Sequence, residues 1–507
     1  MNKTFANISP LLLALLLCIA SSAHSAPLAV GKISFSRGSN AAQQAGSAPR
    51  VLGNGAEIYQ GDNIQTAERS FVIIEFVDGA KITVRPNSNF SIDQYQAQAS
   101  HPQATLSLHE GGVHTESGDI AKNSPDNFEI KTDSATIKGQ QANYSVRVCH
   151  EDCLAEETTL DKTISKAKPA ASVVARIADI KGEVSVSNRN DGNNQQRRLS
   201  LGAPLYSEDY IRSGKDSYVL MVFKDGEKIT LQAESEMAIA DYHYQQANEK
   251  NHALYRLTTG GMRVLTGSIG KTNKEAFAID TPVGTIGIRG TGFDLLCQGE
   301  CLTTQAVNNQ DIKNHPQNGL YSYVWQGQIV IVNDAGEFEL AMPNSNYLPN
   351  RNSAAIDFTG LPELLKNNPF PRPDTDNSNL EALFAAIKQR GVPPGVYVHV
   401  EKGHVQLKIQ GHTLDLGKDE TAYTNQQEAL RLEEQQEFQQ EDPYLQPLDK
   451  SQAEKQQGIY SQLSDGDDIT ATANYHDKLF ENPKLVLVTQ PRHGGFARTN
   501  QFYRENI

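Results

Sequence analysis

Long apolar runs are what this sequence has least of. Beyond its first residues, no stretch reaches the roughly 20 apolar residues that a membrane-spanning helix needs. Trp occurs once and Met five times in 507 residues, which leaves Gly, Thr, Ser and Val to favour strands and turns over helices. Positive charge is also short. Lys and Arg number 46 against 60 Asp and Glu, a net charge of −14, whereas phosphate binding needs clustered cations. No nucleic-acid partner is therefore expected. The one Arg-Arg pair, Arg197-Arg198, lies in a Gln/Asn-rich loop. Catalytic signatures are missing as well. There is no Gly-x-Ser-x-Gly elbow and no His-Glu-x-x-His, and the His residues and carboxylates are scattered. The expectation is a protein that is not an enzyme, with no cofactor and no metal.

The apolar run that does exist decides the compartment. Lys3 precedes Leu11–Ile19, which is signal-peptide length and too short to span a bilayer. Small residues follow, so cleavage after Ala23 or Ser25 fits and residues 1–25 read as a signal peptide. The expected location is the periplasm, with the cell surface or secretion as alternatives and no stable membrane insertion. Cys18 leaves with the signal, and Cys149, Cys153, Cys297 and Cys301 remain. In an oxidising compartment they read as disulfides. Each Cys-x-x-x-Cys pair sits at the end of one repeat, which favours the local bridges Cys149–Cys153 and Cys297–Cys301 among the three connectivities open to four cysteines.

The repeat itself is the strongest internal signal. Gly55-Ala56-Glu57-Ile58-Tyr59 returns as Gly202-Ala203-Pro204-Leu205-Tyr206. Asp62 and Asp209, Ile64 and Ile211, and Asp78-Gly79 and Asp225-Gly226 keep the same spacing, and Gly111-Gly112 returns as Gly260-Gly261. A tandem structural unit is implied. Apolar runs at Phe71–Val77 and Tyr218–Phe223, each followed by Asp-Gly and Lys-Ile-Thr, predict hairpins with both turn positions at positive φ. A shorter Gly-x-(β-branched) pattern recurs at Gly31, Gly182, Gly327 and Gly403, extending the short-strand character past the second copy. Composition then divides the chain. The signal is followed by a first unit (28–155), a charged linker (156–174) and a second unit (175–345). A Pro-rich loop with one short helix at Leu380–Ile387 (346–394), a further β segment (395–425) and a Gln/Glu-rich tail (426–507) complete it. The fold class is all-β, tandem sandwich- or solenoid-like units of short strands, with one short helix and a polar, helical or disordered tail.

The motif order resembles the FecR domain. Gly-x-Val, Gly-Ala-x-hydrophobic-Tyr-x-x-Asp, an apolar strand with Asp-Gly and a Gly-Gly-hydrophobic step lead to Asp280-Thr281-Pro282-Val283-Gly284-Thr285-Ile286-Gly287-Ile288-Arg289-Gly290-Thr291-Gly292-Phe293. The first copy departs here, with Thr132-Asp133-Ser134-Ala135-Thr136-Ile137-Lys138-Gly139 in place of Thr-Pro and Arg-Gly-Thr. The resemblance implies an extracytoplasmic β-rich domain that senses or relays through protein contacts. It makes Arg289, Gly290 and Thr291 the candidate binding residues. The expected partner is an envelope protein, such as the outer part of a membrane signalling protein, or a cell-wall glycan. The other readings are an exported carbohydrate-active enzyme on a β-solenoid and a structural or adhesion protein. A phosphate loop is not expected at Gly284–Gly292, whose flanks are strand-like.

Overall fold

The computed structural model describes residues 28–159, 173–188, 196–246, 248–299, 301, 312, 317–366 and 369–440, with short strands at 473–474, 485–488 and 501–504. The expected signal peptide, the middle of the linker and most of the tail lie outside the described residues. The described chain is mostly strand with a few short helices, and none of its helices is long and apolar enough to cross a membrane.

The predicted hairpins form, with one correction. Phe71–Phe76 pairs with Lys81–Val84, and Tyr218–Phe223 with Lys228–Leu231, all antiparallel. Only the glycines take positive φ, 80° at Gly79 and 83° at Gly226, while Asp78 and Asp225 do not. Gly79 N–H donates to Phe76 C=O at 3.0 Å, so each loop is a tight turn closed by a left-handed glycine, not a two-residue loop. The Asp carboxylates have other work. Asp78 accepts from Ala80 N and Ile120 N, both at 3.1 Å, and from Tyr95 Oη at 2.5 Å. Asp225 accepts from Glu227 N at 3.0 Å and from Ile269 N and Tyr242 Oη at 3.1 Å. One side chain thus ties a turn, a neighbouring strand and the start of a one-turn helix.

Those one-turn helices, Asp119–Asn123 and Ser268–Thr272, add to the single helix expected. The expected helix itself is shorter, Leu380–Phe384. Beyond it Ile387 makes an isolated bridge to Leu432, so a strand contact replaces the last helical turn.

The second unit is a contiguous pair of layers around one core, running from Ala175 to Thr359. Strand His252–Leu265 passes through both layers. Its first half pairs with Glu236–His243, and its second half with Lys228–Leu231 and Gly292–Gln298. Two hairpins close the unit. Gly319–Gln326 pairs with Gly292–Gln298, and Gln328–Asn333 with Gly284–Ile288.

The first unit is closed differently. Its last strand, Thr136–Cys149, pairs along its whole length with Gly395–Ile409, which in turn carries His412–Leu416 and Thr421–Thr424. Val396, Val398, Val405, Leu407 and Leu416 join the same core as Val72, Ile74 and Leu106. The segment set apart in the sequence as an additional β region (395–425) is therefore the closing part of the first unit, and the second unit is inserted between the two parts. The closing segments correspond residue by residue. Gly319 and Gly395 both hold positive φ, 145° and 156°. Tyr321 packs on Tyr347 at 4.8 Å, and Tyr397 on Tyr423 at 5.1 Å. Gly327 and Gly403 each press on a corner carbonyl, of Gly290 and Gln141.

Candidate functional site

The most specific sequence stretch builds a corner. Thr281 Oγ1 donates to Gly284 C=O at 2.7 Å and closes the Thr-Pro turn between Phe277–Thr281 and Gly284–Ile288. The chain then crosses from one layer to the other at Arg289-Gly290-Thr291 and continues as Gly292–Gln298. Gly290 takes φ 72°, a region that a side chain disfavours. Thr291 is buried, donates to Gln328 C=O at 2.7 Å and accepts from Arg289 N at 3.1 Å. Its backbone N–H donates to Thr266 Oγ1 at 2.9 Å. Arg289 points outward to Glu339 at 2.9 Å, with both side chains about half exposed.

The first unit keeps this corner without the motif. Gln141 adopts φ 48° where Gly290 stands, and Ala142 N–H donates to Ser117 Oγ at 2.9 Å as Thr291 does to Thr266. Its corner faces the second unit, with Gln141 Nε2 donating to Gln196 C=O at 3.2 Å.

The layer carrying the Thr-Pro turn presents an outward row across six strands. Cross-strand register joins Tyr210, Ala238, Arg256, Asp280, Thr285 and Val332. A cleft of about 340 Å³ opens beside it, lined by Arg256, Thr258, Asp280, Pro282, Thr285 and Arg351 among others. Asp280 accepts from Thr285 Oγ1 at 2.8 Å, and Arg351 pairs with Asp334 at 3.4 Å. The Arg256 side chain is exposed and has no hydrogen bond or ion pair among the described residues.

On the opposite layer Trp325 lies flat over Gly292, where any Cβ would collide with its ring. Its Nε1 donates to Asp294 at 3.2 Å, and Asp294 is gripped by Arg263 through two bonds of 3.1 Å. Burial pushes the Asp294 carboxyl up, against the lowering pull of Arg263. Two-point guanidinium contact supplies the partner that a buried carboxylate needs. This platform was not legible before the fold, because its residues come from three distant strands.

A third polar cluster joins the units. Arg176 pairs with Glu420, His404 with Asp415, and Ser200 Oγ donates to Asp415 at 2.5 Å. All but Ser200 and Glu420 are buried. The order is Ser–Asp–His, with the carboxylate between the other two. A nucleophile triad instead needs the imidazole between hydroxyl and carboxylate. Burial pushes Asp415 up to about 7, and burial together with Arg197 and Arg176 holds His404 well below its usual range.

Both local disulfides are formed, Cys149–Cys153 and Cys297–Cys301. Among the described residues no group of His, Cys, Asp or Glu is arranged to hold a metal ion.

Fold and corner define an all-β protein made of two copies of one two-layered unit. The FecR protein family matches residues 62–161 and 209–309, so the chain carries two FecR-like domains in tandem. Each match stops before its closing hairpins. No curated protein matches the chain. Two crystal structures of a "putative anti-sigma factor" from Parabacteroides distasonis are similar at 13% identity, with a TM-score of 0.22, over 30% of this chain and 61% of that one. The present chain thus spans under two-thirds of that protein's length.

Proposed function

We propose that the chain is an exported, non-catalytic binding and signalling module of the cell envelope, and that the second FecR-like unit presents its recognition surface to an envelope protein. The observation that carries this reading is the outward row from Tyr210 to Val332, which borders the cleft at the Thr-Pro turn with Arg256 free of described partners. A flat face of small and mixed side chains, with one unpaired guanidinium, suits a protein contact in which Arg is a favoured anchor. Arg289, already paired with Glu339, lies at the far end of the same layer.

A cell-wall glycan is the second reading, favoured by the Thr258, Thr285 and Arg351 lining of the cleft. The non-catalytic part of the proposal draws support from the same lining. Glycoside hydrolysis uses two carboxylates about 5 to 9 Å apart, and among the described residues Asp280 is the one carboxylate lining the cleft. Export rests on the apolar run Leu11–Ile19 and the small residues after it.

The test is capture from envelope extract with immobilised mature protein, followed by cross-linking mass spectrometry, with an Arg256→Glu, Arg351→Glu variant as control. Enrichment of one envelope protein, lost with the control and cross-linked near the row, is the expected result. Binding of a wall polysaccharide alone moves the assignment to the glycan. If neither binds, the proposal fails.

A further inference from the structure

Residues 369–376, Pro-Phe-Pro-Arg-Pro-Asp-Thr-Asp, cross the outer face of the second unit on the layer opposite the cleft. They add no strand to it. Phe370 meets Tyr218 edge-on at 6.1 Å, and its carbonyl accepts from Arg263 Nη1 at 2.8 Å. The Arg372 guanidinium stacks over Trp325, 4.2 Å from the ring centroid, and is held in plane by two bonds to Asp374 of 3.0 and 2.8 Å. Asp376 pairs with Lys228 at 2.9 Å, and its carbonyl accepts from the same ammonium at 2.7 Å. Pro373 is the one buried residue of the strap; the others are half-buried or exposed. Beneath it lie the Arg263–Asp294 pair and the Trp325 ring seated on Gly292.

We infer that this face is a docking surface for a proline-interrupted peptide of a partner protein, turned once as Pro373–Thr375 is, and that residues 369–376 are its resident occupant. The contacts are those of peptide recognition by a preformed groove. Prolines restrict the backbone at low entropy cost, with one 3-10 turn at Pro373–Thr375, an aromatic ring and a guanidinium fill side-chain sites, and main-chain carbonyls take fixed donors. The matching partner carries an aromatic residue, an arginine two positions on and a carboxylate four positions after that. Arginine over the Trp face supplies cation–π attraction, and Lys228 selects the acid. The strap is tethered at both ends, so its effective concentration is about millimolar, and a partner displaces it only by binding better. The strap also leads into the segment that closes the first unit, so displacement would lengthen the free connection between the units. This surface lies on the layer opposite the cleft of the proposed function and stands or falls separately from it.

Trp325 is the sole tryptophan of the chain, so its emission reads the site directly. The probe is a synthetic peptide of residues 367–379, with a scrambled version as control. The proteins are the full mature chain and two variants, Phe370→Ala with Arg372→Ala, and the milder Arg372→Gln. Both variants should change Trp325 emission while keeping the far-ultraviolet circular dichroism of the parent. Each should then bind the peptide in trans about tenfold or more tighter than the parent does, because the tethered competitor is weakened. Equal binding to parent and variants would place the peptide elsewhere and overturn the inference. Absence of binding to both folded variants would overturn it as well. Neither outcome bears on capture at the Arg256 cleft.

Discussion

Two equivalent positions in the two units show how single residues set stability here. The first unit has Ala80 and Leu106 in its core. The second has Glu227 and Tyr255, both buried, joined by a bond of 2.6 Å from Tyr255 Oη. Glu227 sits beside Asp225, and its Oε1 has no hydrogen-bond partner among the described residues. Burial, reinforced by the Asp225 charge, pushes the Glu227 carboxyl well above its usual range, and burial raises Asp225 too. A raised carboxyl favours the fold at low pH and loses that advantage as pH rises through its folded value. The double change Glu227→Met with Tyr255→Phe, which removes both polar groups at nearly constant volume, should therefore stabilise the chain by about 1–4 kcal/mol near neutral pH, as similar-volume replacements of buried charged groups do. The gain should shrink as pH falls toward the ordinary glutamate range. Thermal melts of parent and variant at pH 4 and pH 8 check both statements, and a variant less stable at pH 8 would contradict them.

At the scale of elements, local chemistry was legible and partnership was not. The Asp-Gly hairpins, the duplicated strands and the two disulfides follow from residues close in sequence. The turn type was not legible, because Asp78 looks like a turn residue at positive φ, yet its carboxylate is recruited by Ile120 and Tyr95, distant in sequence. The recurrence of Gly327 and Gly403 did carry a signal for the closing hairpins. Each glycine exists because a corner carbonyl presses where a Cβ would be. What the pattern did not contain was which unit Gly403 serves, because strand register between Thr136–Cys149 and Gly395–Ile409 leaves no mark on either segment alone. The Trp325 platform and the strap were hidden for the same reason. The candidate residues themselves divide: Gly290 and Thr291 shape the corner, and Arg289 stands on the surface.

In the whole molecule the two units meet through buried charge. The closing segment of the first unit brings His404, Asp415, Glu420 and Arg431 against Arg176, Arg197, Ser200 and Tyr206 of the second. Burial raises Asp415 to about 7 and holds His404 well below its usual range, so below that value the folded pair carries one proton, on Asp415. Unfolded, an aspartate ionises near 3.9 and a histidine near 6.5, roughly, so between those values the unfolded pair also holds one proton and stability has no slope. Above about 6.5 the unfolded pair has lost its proton, while Asp415 retains it up to about 7 in the fold. Below about 4 the unfolded pair takes a second proton, which the buried His404 resists. The junction should weaken on both sides of this window. In an Asp415→Asn variant the alkaline limb should vanish, and melting temperatures recorded from pH 3 to 8 would contradict this if parent and variant ran parallel above pH 6.

The second unit is inserted within the first, whose sheet is closed by residues 395–432. Hydrogen exchange with mass spectrometry on the mature chain and on a truncation after Pro394 tests it most directly. Protection should collapse along Thr136–Cys149 in the truncated chain, because its pairing partner is gone. It should persist along Gly284–Ile288 and Gly292–Gln298, whose partners lie within the second unit. Retained protection of Thr136–Cys149 would mean that the first unit closes itself, and the insertion would be refuted.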